Sequence, residues 1–136
     1  MNKITIQAVI KANKQKTWTY YTLPEHIMNW NFATEDWQCP NASNDLRVGG
    51  KYFARMEAKD GSFGFDFEAT YNEVVKNEKL TYTMPDNRVV NVNFNAIGDN
   101  TEVIITFDAE LENSIEMQRD GWQAILNNFK KYTEKN

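Results

Sequence analysis

The sequence predicts an α+β protein: a curved antiparallel sheet of about six to seven strands around one long C-terminal helix, with two short helices after strand 1. Three observations lead there. The stretch from Ser114 to about Tyr132, SIEMQRDGWQAILNNFKKY, carries its apolar residues at helical spacing. Nearly every segment between Lys51 and Glu110 alternates apolar and polar residues, as strands do. The turns between those segments are too short for a crossover, so successive strands run antiparallel. A helix with one bulky apolar face needs cover, and the sheet supplies it.

Taken in order, Ile4 to Ile10 places Ile4, Ile6, Ala8 and Ile10 on one side of a first strand. Asn13 caps a short helix, KQKTWTYY, whose Trp18, Tyr21 and Thr22 face inward, and Pro24 opens a second, PEHIMNW, ending near Trp30. From Asn31 to Asn44, Trp37, Cys39 and Pro40 stand among Asn, Asp and Ser, which reads as an irregular rim loop. Asp45 to Gly50 reads as a short strand ending in a Gly-Gly turn. In the strand KYFARMEAK, Tyr52, Ala54, Met56 and Ala58 share a face. After the tight-turn pair Asp60-Gly61, SFGFDFEATYNEV puts Phe63, Phe65, Phe67, Ala69 and Tyr71 on one side. LTYTM follows the turn at Asn77-Glu78. Beyond the Pro85-Asp86-Asn87 turn, Val90, Val92, Phe94 and Ala96 point inward, and in EVIITFDAE so do Val103, Ile105, Phe107 and Ala109. In the last helix Ile115, Trp122, Ile125, Leu126, Phe129 and Tyr132 fall on one side, with Asn113 the expected N-cap and Glu116 its capping-box partner. At ~1.5 Å per residue that helix is roughly 28 Å long. Residues 1–136 read as a single domain.

Composition excludes several functions. With 41% hydrophobic and 25% charged residues the chain is globular rather than disordered. A net charge of -4 and the lack of clustered Lys and Arg argue against a nucleic-acid partner. No apolar run approaches the ~20 residues of a membrane span, and the N-terminus lacks a signal-peptide core. One cysteine, Cys39, cannot form an internal disulfide, so a cytoplasmic location is expected. One His and one Cys do not make a metal site, and Gly49-Gly50 is a turn rather than a phosphate loop, so neither metal nor cofactor is expected. No catalytic residue is assigned: His26 reads as a helix-surface residue and Cys39 as an inert thiol.

Aromatic residues make up 13% of the chain; most are expected to pack as core, yet such side chains also line ligand pockets. Trp30, Phe32 and Trp37 gather around the second short helix and the rim loop. Tyr52, Met56, Tyr82 and Met84 occupy inward strand positions, where Met adapts its shape and Tyr offers a directed hydrogen bond. With Phe65, Phe67, Val92, Trp122 and Leu126 they form the expected ligand-binding set. Arg47 has two readings, a partner for a ligand carboxylate and a surface ion pair.

PEHIMNW, DLRVGGKY, DGSFGFDF and GWQAILNNFKKY, in this order across essentially the whole chain, resemble the stand-alone bacterial members of the activator of heat-shock protein 90 ATPase homologue family. That family lies in the SRPBCC superfamily, and the resemblance implies its START-like, birch-pollen-allergen-like helix-grip fold with an internal apolar cavity. The leading expectation is a non-enzymatic protein holding a small apolar or amphipathic molecule between sheet and helix. Two alternatives are a chaperone ATPase activator-like interaction module and a cyclase or dehydratase using His26, Tyr82 or an acidic residue. No nucleic-acid or membrane partner is expected, and a homodimer stays open. A chaperone partner is not expected, because the chain starts at the first strand, without the additional N-terminal domain of eukaryotic activators.

Overall fold

Alternation along Lys3–Ile10 makes this segment strand β1, with Ile4, Ile6 and Ile10 buried and Thr5 and Gln7 facing outward. The computed structural model describes residues 2–136. Helices α1 (Lys14–Thr22) and α2 (Pro24–Ile27) follow, then β2 (Trp37–Asn44), β3 (Lys51–Ala58), β4 (Gly64–Val75), β5 (Lys79–Thr83), β6 (Val89–Ile97), β7 (Asn100–Asp108) and α3 (Ile115–Lys135). The seven strands form one antiparallel sheet in the order β1-β7-β6-β5-β4-β3-β2. Hairpins join β2 through β7, and β7 returns beside β1, with Ile4 opposite Phe107 and Ile10 opposite Thr101. Edge strands β1 and β2 are linked in sequence by α1 and α2, whose Trp18 and Ile27 are buried.

Three segments differ from the sequence-based expectation. The predicted rim loop contains edge strand β2, which pairs with β3 alone. Its Pro40 sits within a register irregularity between Gln38 and Asn41, a place where a residue without an N–H is tolerated. Asp45 to Gly50, expected as a strand, is a pair of tight turns: Arg47 N–H donates to Asp45 O and Gly50 N–H to Arg47 O. A Cβ at Gly50 would stand 2.0 Å from Asp45 O, so glycine is required there. The N-cap of α3 is Ser114, whose Oγ accepts from Met117 N–H at 3.1 Å; Asn113 N–H is instead satisfied by the Glu110 carboxylate at 2.6 Å.

Helix α3 is tied down along its C-terminal half. Leu126, Phe129 and Thr133 are buried, and Phe129 meets Trp30 edge-on at 4.9 Å and Tyr21 at 5.1 Å. Lys130 Nζ donates to Val9 O, and the Glu134 carboxylate accepts from Lys11 N–H, fastening the helix to the end of β1. Asn128 Nδ2 donates to Trp30 O at 2.9 Å, holding the chain beyond α2. At the other end Gln118 acts as a latch. Its side chain accepts from Glu110 N–H at 2.9 Å and donates to Glu110 O and Asn113 O, closing the β7–α3 connection.

Asp108 clamps three neighbouring strands. Its Oδ1 accepts from Lys3 Nζ of β1 at 2.6 Å and its Oδ2 from Val89 N–H of β6 at 2.9 Å. The hydrogen bonds from Lys3 and Val89 hold the carboxyl below its ordinary value of 3.8. A depressed folded-state pKa adds stability that is present above the unfolded value and lost as pH falls through the folded value.

Two outcomes check this frame. Ser114→Ala should lower stability by ~1 kcal/mol in chemical denaturation, whereas Asn113→Ala should cost much less. Asp108→Asn should flatten the acid limb of the stability-pH curve below about pH 4, where the wild type loses the contribution of the ionised clamp. Parallel acid limbs in variant and wild type would contradict it.

Candidate functional site

Strict alternation aims one residue in two of β3, β4 and β5 at α3, and α3 sits over that concave face without filling it. A hollow of about 340 Å³ remains. Tyr52 and Met56 of β3, Phe67 of β4, Tyr82 of β5 and Met84 just beyond it form the floor, with Ile105 of β7. The roof is the N-terminal half of α3: Met117, Gln118, Gly121, Trp122, Ile125 and Leu126. Tyr21 of α1 together with Trp30 and Asn31 beyond α2 also line the wall. Exposed lining residues mark the mouth, where Phe65 is 41% and Met117 62% accessible.

The aromatic walls are held from behind. Trp122 stacks on Phe107 at 3.9 Å with the rings 13° apart, and Phe67 stands edge-on to both Trp122 and Tyr82. Tyr52 and Tyr82 are stacked at 6.1 Å, and Tyr71, behind them, meets Tyr82 edge-on at 6.0 Å and donates from its hydroxyl to Asn44 Oδ1 at 2.8 Å. Burial pushes the Tyr21, Tyr52, Tyr71 and Tyr82 hydroxyls above their usual value, so they remain neutral donors throughout the physiological range.

Of the residues expected to meet a ligand, Trp30, Tyr52, Met56, Phe65, Phe67, Tyr82, Met84, Trp122 and Leu126 line the hollow. Three do not. Val92 is fully buried in the core under the sheet, and Trp37 packs on the surface against Phe63 and Phe65 at 6.0 and 6.2 Å. Phe32 is half-buried outside it, its carbonyl accepting from Asn128 Nδ2. Arg47 is also elsewhere, exposed in its turn with Nε donating to both oxygens of Asp45 at 3.0 Å. The cation that does reach the lining is Arg88, just before β6, with Nε donating to Asp86 Oδ2 at 2.7 Å. Gly121 carried a readable signal, since glycine in a helix interior is unfavourable unless something needs its small size.

His26 and Cys39 stand apart from the hollow, whereas Tyr82 and the acidic Glu110 line it. His26 stacks on Tyr20 at 4.0 Å and its Nδ1 lies 2.7 Å from the Tyr132 hydroxyl, so it does not line the cavity. Cys39 is buried, its Sγ donates to Asn41 O at 3.6 Å, and burial pushes the thiol up, leaving it protonated. Neither makes a nucleophile–base pair with the other.

Residues 11–134 match the family model described as activator of Hsp90 ATPase homolog 1-like protein. No curated protein matches the chain. Among solved structures, the AHSA1-like protein from Aeromonas hydrophila superposes with a TM-score of 0.92 at 41% identity, over 98% of this chain and 93% of that one. A protein from Cytophaga hutchinsonii superposes at 0.86 with 46% identity, over 100% and 94% of the two chains. The Aha1 dimer from Colwellia psychrerythraea shares the fold at 0.76 with 18% identity, over 98% and 97%. With its curled seven-stranded sheet, its long C-terminal helix and a family match over most of its length, the chain belongs to the activator of Hsp90 ATPase homolog 1-like family.

Proposed function

We propose that this protein binds a small apolar or amphipathic molecule in the hollow between the sheet and α3, in the cytoplasm, and does no chemistry on it. One observation carries the reading. Gly121 faces the hollow from the middle of α3, where a helix-interior glycine costs ~1 kcal/mol relative to alanine. A Cβ there would meet nothing within 4 Å, so no packing contact demands the glycine. What the missing side chain preserves is space. The volume of about 340 Å³ lies within the ~300–1,000 Å³ of small-molecule sites, and the lining combines aromatic and Met surface with a few polar groups, as such sites do.

The family description favours a second reading, contact with a heat-shock protein 90 chaperone. Turnover by the host chaperone, measured with and without this protein, separates the two. An unchanged ATPase rate removes the second reading and leaves the first intact.

Titration with fatty acids, flavonoids and polyketides, followed by Trp fluorescence and melting temperature, tests the first. A ligand present at 100 times its dissociation constant should add ~2.7 kcal/mol of stability. Gly121→Ala should raise the stability of the free protein by ~0.5–1 kcal/mol. Gly121→Leu should keep the fold, fill the hollow and remove binding. No response of the wild type to any of these ligands would sink the proposal.

A further inference from the structure

The floor of the hollow holds hydroxyls that the protein itself does not use. Tyr82 is only 7% accessible and Tyr21 packs among Trp30, Phe94 and Phe129, yet neither hydroxyl has a hydrogen-bond partner among the described residues. Both residues line the hollow, so their free hydroxyls are offered to whatever occupies it. Tyr52 adds a third: its oxygen accepts from Asn31 Nδ2 at 3.3 Å, which leaves its proton free to donate. Tyr21, Tyr52 and Tyr82 all line the same hollow, and the Tyr52 and Tyr82 rings stack at 6.1 Å. Tyr71 is excluded from the set, since its proton is already given to Asn44.

We infer that this tyrosine cluster is a donor site for one hydrogen-bond acceptor, a carbonyl oxygen, on an otherwise apolar and uncharged ligand; the inference rests on the binding role proposed above and specifies what is bound. Charge decides against a carboxylate in that position. Among the described residues Arg88 is the only Lys or Arg on the lining, its Nε already bonded to Asp86, and Glu110 shares the lining with it. An anion among the tyrosines would therefore be buried without a partner cation, which is costly, whereas a neutral carbonyl needs only the O–H donors present. The apolar body of the ligand would then extend from the tyrosines past Phe67 and Trp122 toward Phe65 and Met117.

Three probes with one apolar body test it by calorimetry: 2-acetylnaphthalene, 2-ethylnaphthalene and 2-naphthoate. The ketone should bind about 5-fold tighter than the hydrocarbon, as one or two neutral hydrogen bonds warrant, and tighter than the carboxylate. In the double variant Tyr21→Phe, Tyr82→Phe that preference should fall, Tyr52 alone remaining as a donor, while hydrocarbon affinity persists; an unchanged preference would overturn the inference. Neither ring is lost and neither hydroxyl has a protein partner, so the variant should melt no lower than the wild type. Equal binding of ketone and hydrocarbon by the wild type would overturn the inference and leave the hollow as a binding site. Tightest binding of naphthoate, abolished by Arg88→Gln, would overturn it by moving the polar end to Arg88. Failure of all three to bind would overturn the binding role and the inference together.

Discussion

A straight helix cannot follow a coiled sheet along its whole length, and the remainder of this structure is arranged around that misfit. Helix α3 settles it unevenly. Its C-terminal half is packed against α1, the chain after α2 and the end of β1, with Phe129 and Thr133 fully buried. Its N-terminal half spans the concave face of β3 to β5, where the sheet has curved away. A core built to close that gap would place a large aliphatic residue at position 121 and point it at the sheet. Instead the helix presents a glycine at 121, an exposed Met117 and a Trp122 that stacks sideways on Phe107.

The two ends of α3 are also secured differently. Apolar burial of Leu126 and Phe129, with hydrogen bonds from Asn128, Lys130 and Glu134, holds the C-terminal half. At the N-terminal half the Trp122–Phe107 stack is joined by a polar latch, the three hydrogen bonds of Gln118 to the β7–α3 connection. Such a latch fixes the position of the helix without filling the space beneath it. Stability and an internal hollow are thus compatible, because much of the anchoring of α3 lies in its C-terminal half, beyond the hollow.

Most of the frame was legible in the sequence where a residue pattern repeats. The face of α3, the alternation of β5 to β7 and the Asn13 cap of α1, whose Oδ1 accepts from Lys16 N–H, all follow from local spacing. Strand β2 was hidden because an edge strand with one neighbour tolerates Pro40 and a run of Asn and Ser that would break a central one. The pairing of β1 with β7 joins residues about a hundred positions apart, beyond the reach of any local signal. In the site, alternation told which side of a strand each residue occupies but not how far the helix reaches over it. Phe65 and Phe67 have the same parity, yet one lies at the mouth and the other inside. Arg88 follows a turn and carries no local signal of the hollow, whereas Arg47, before the Gly-Gly turn, pairs with its neighbour Asp45.

Xenon diffused into crystals of the free protein probes the hollow itself, since apolar cavities take up xenon whereas closed cores exclude it. The account predicts an anomalous peak beneath Gly121 and Trp122, between Phe67 and Tyr82. Absence of that peak, with the Trp122 and Phe67 rings collapsed onto one another and no space left under α3, would contradict it.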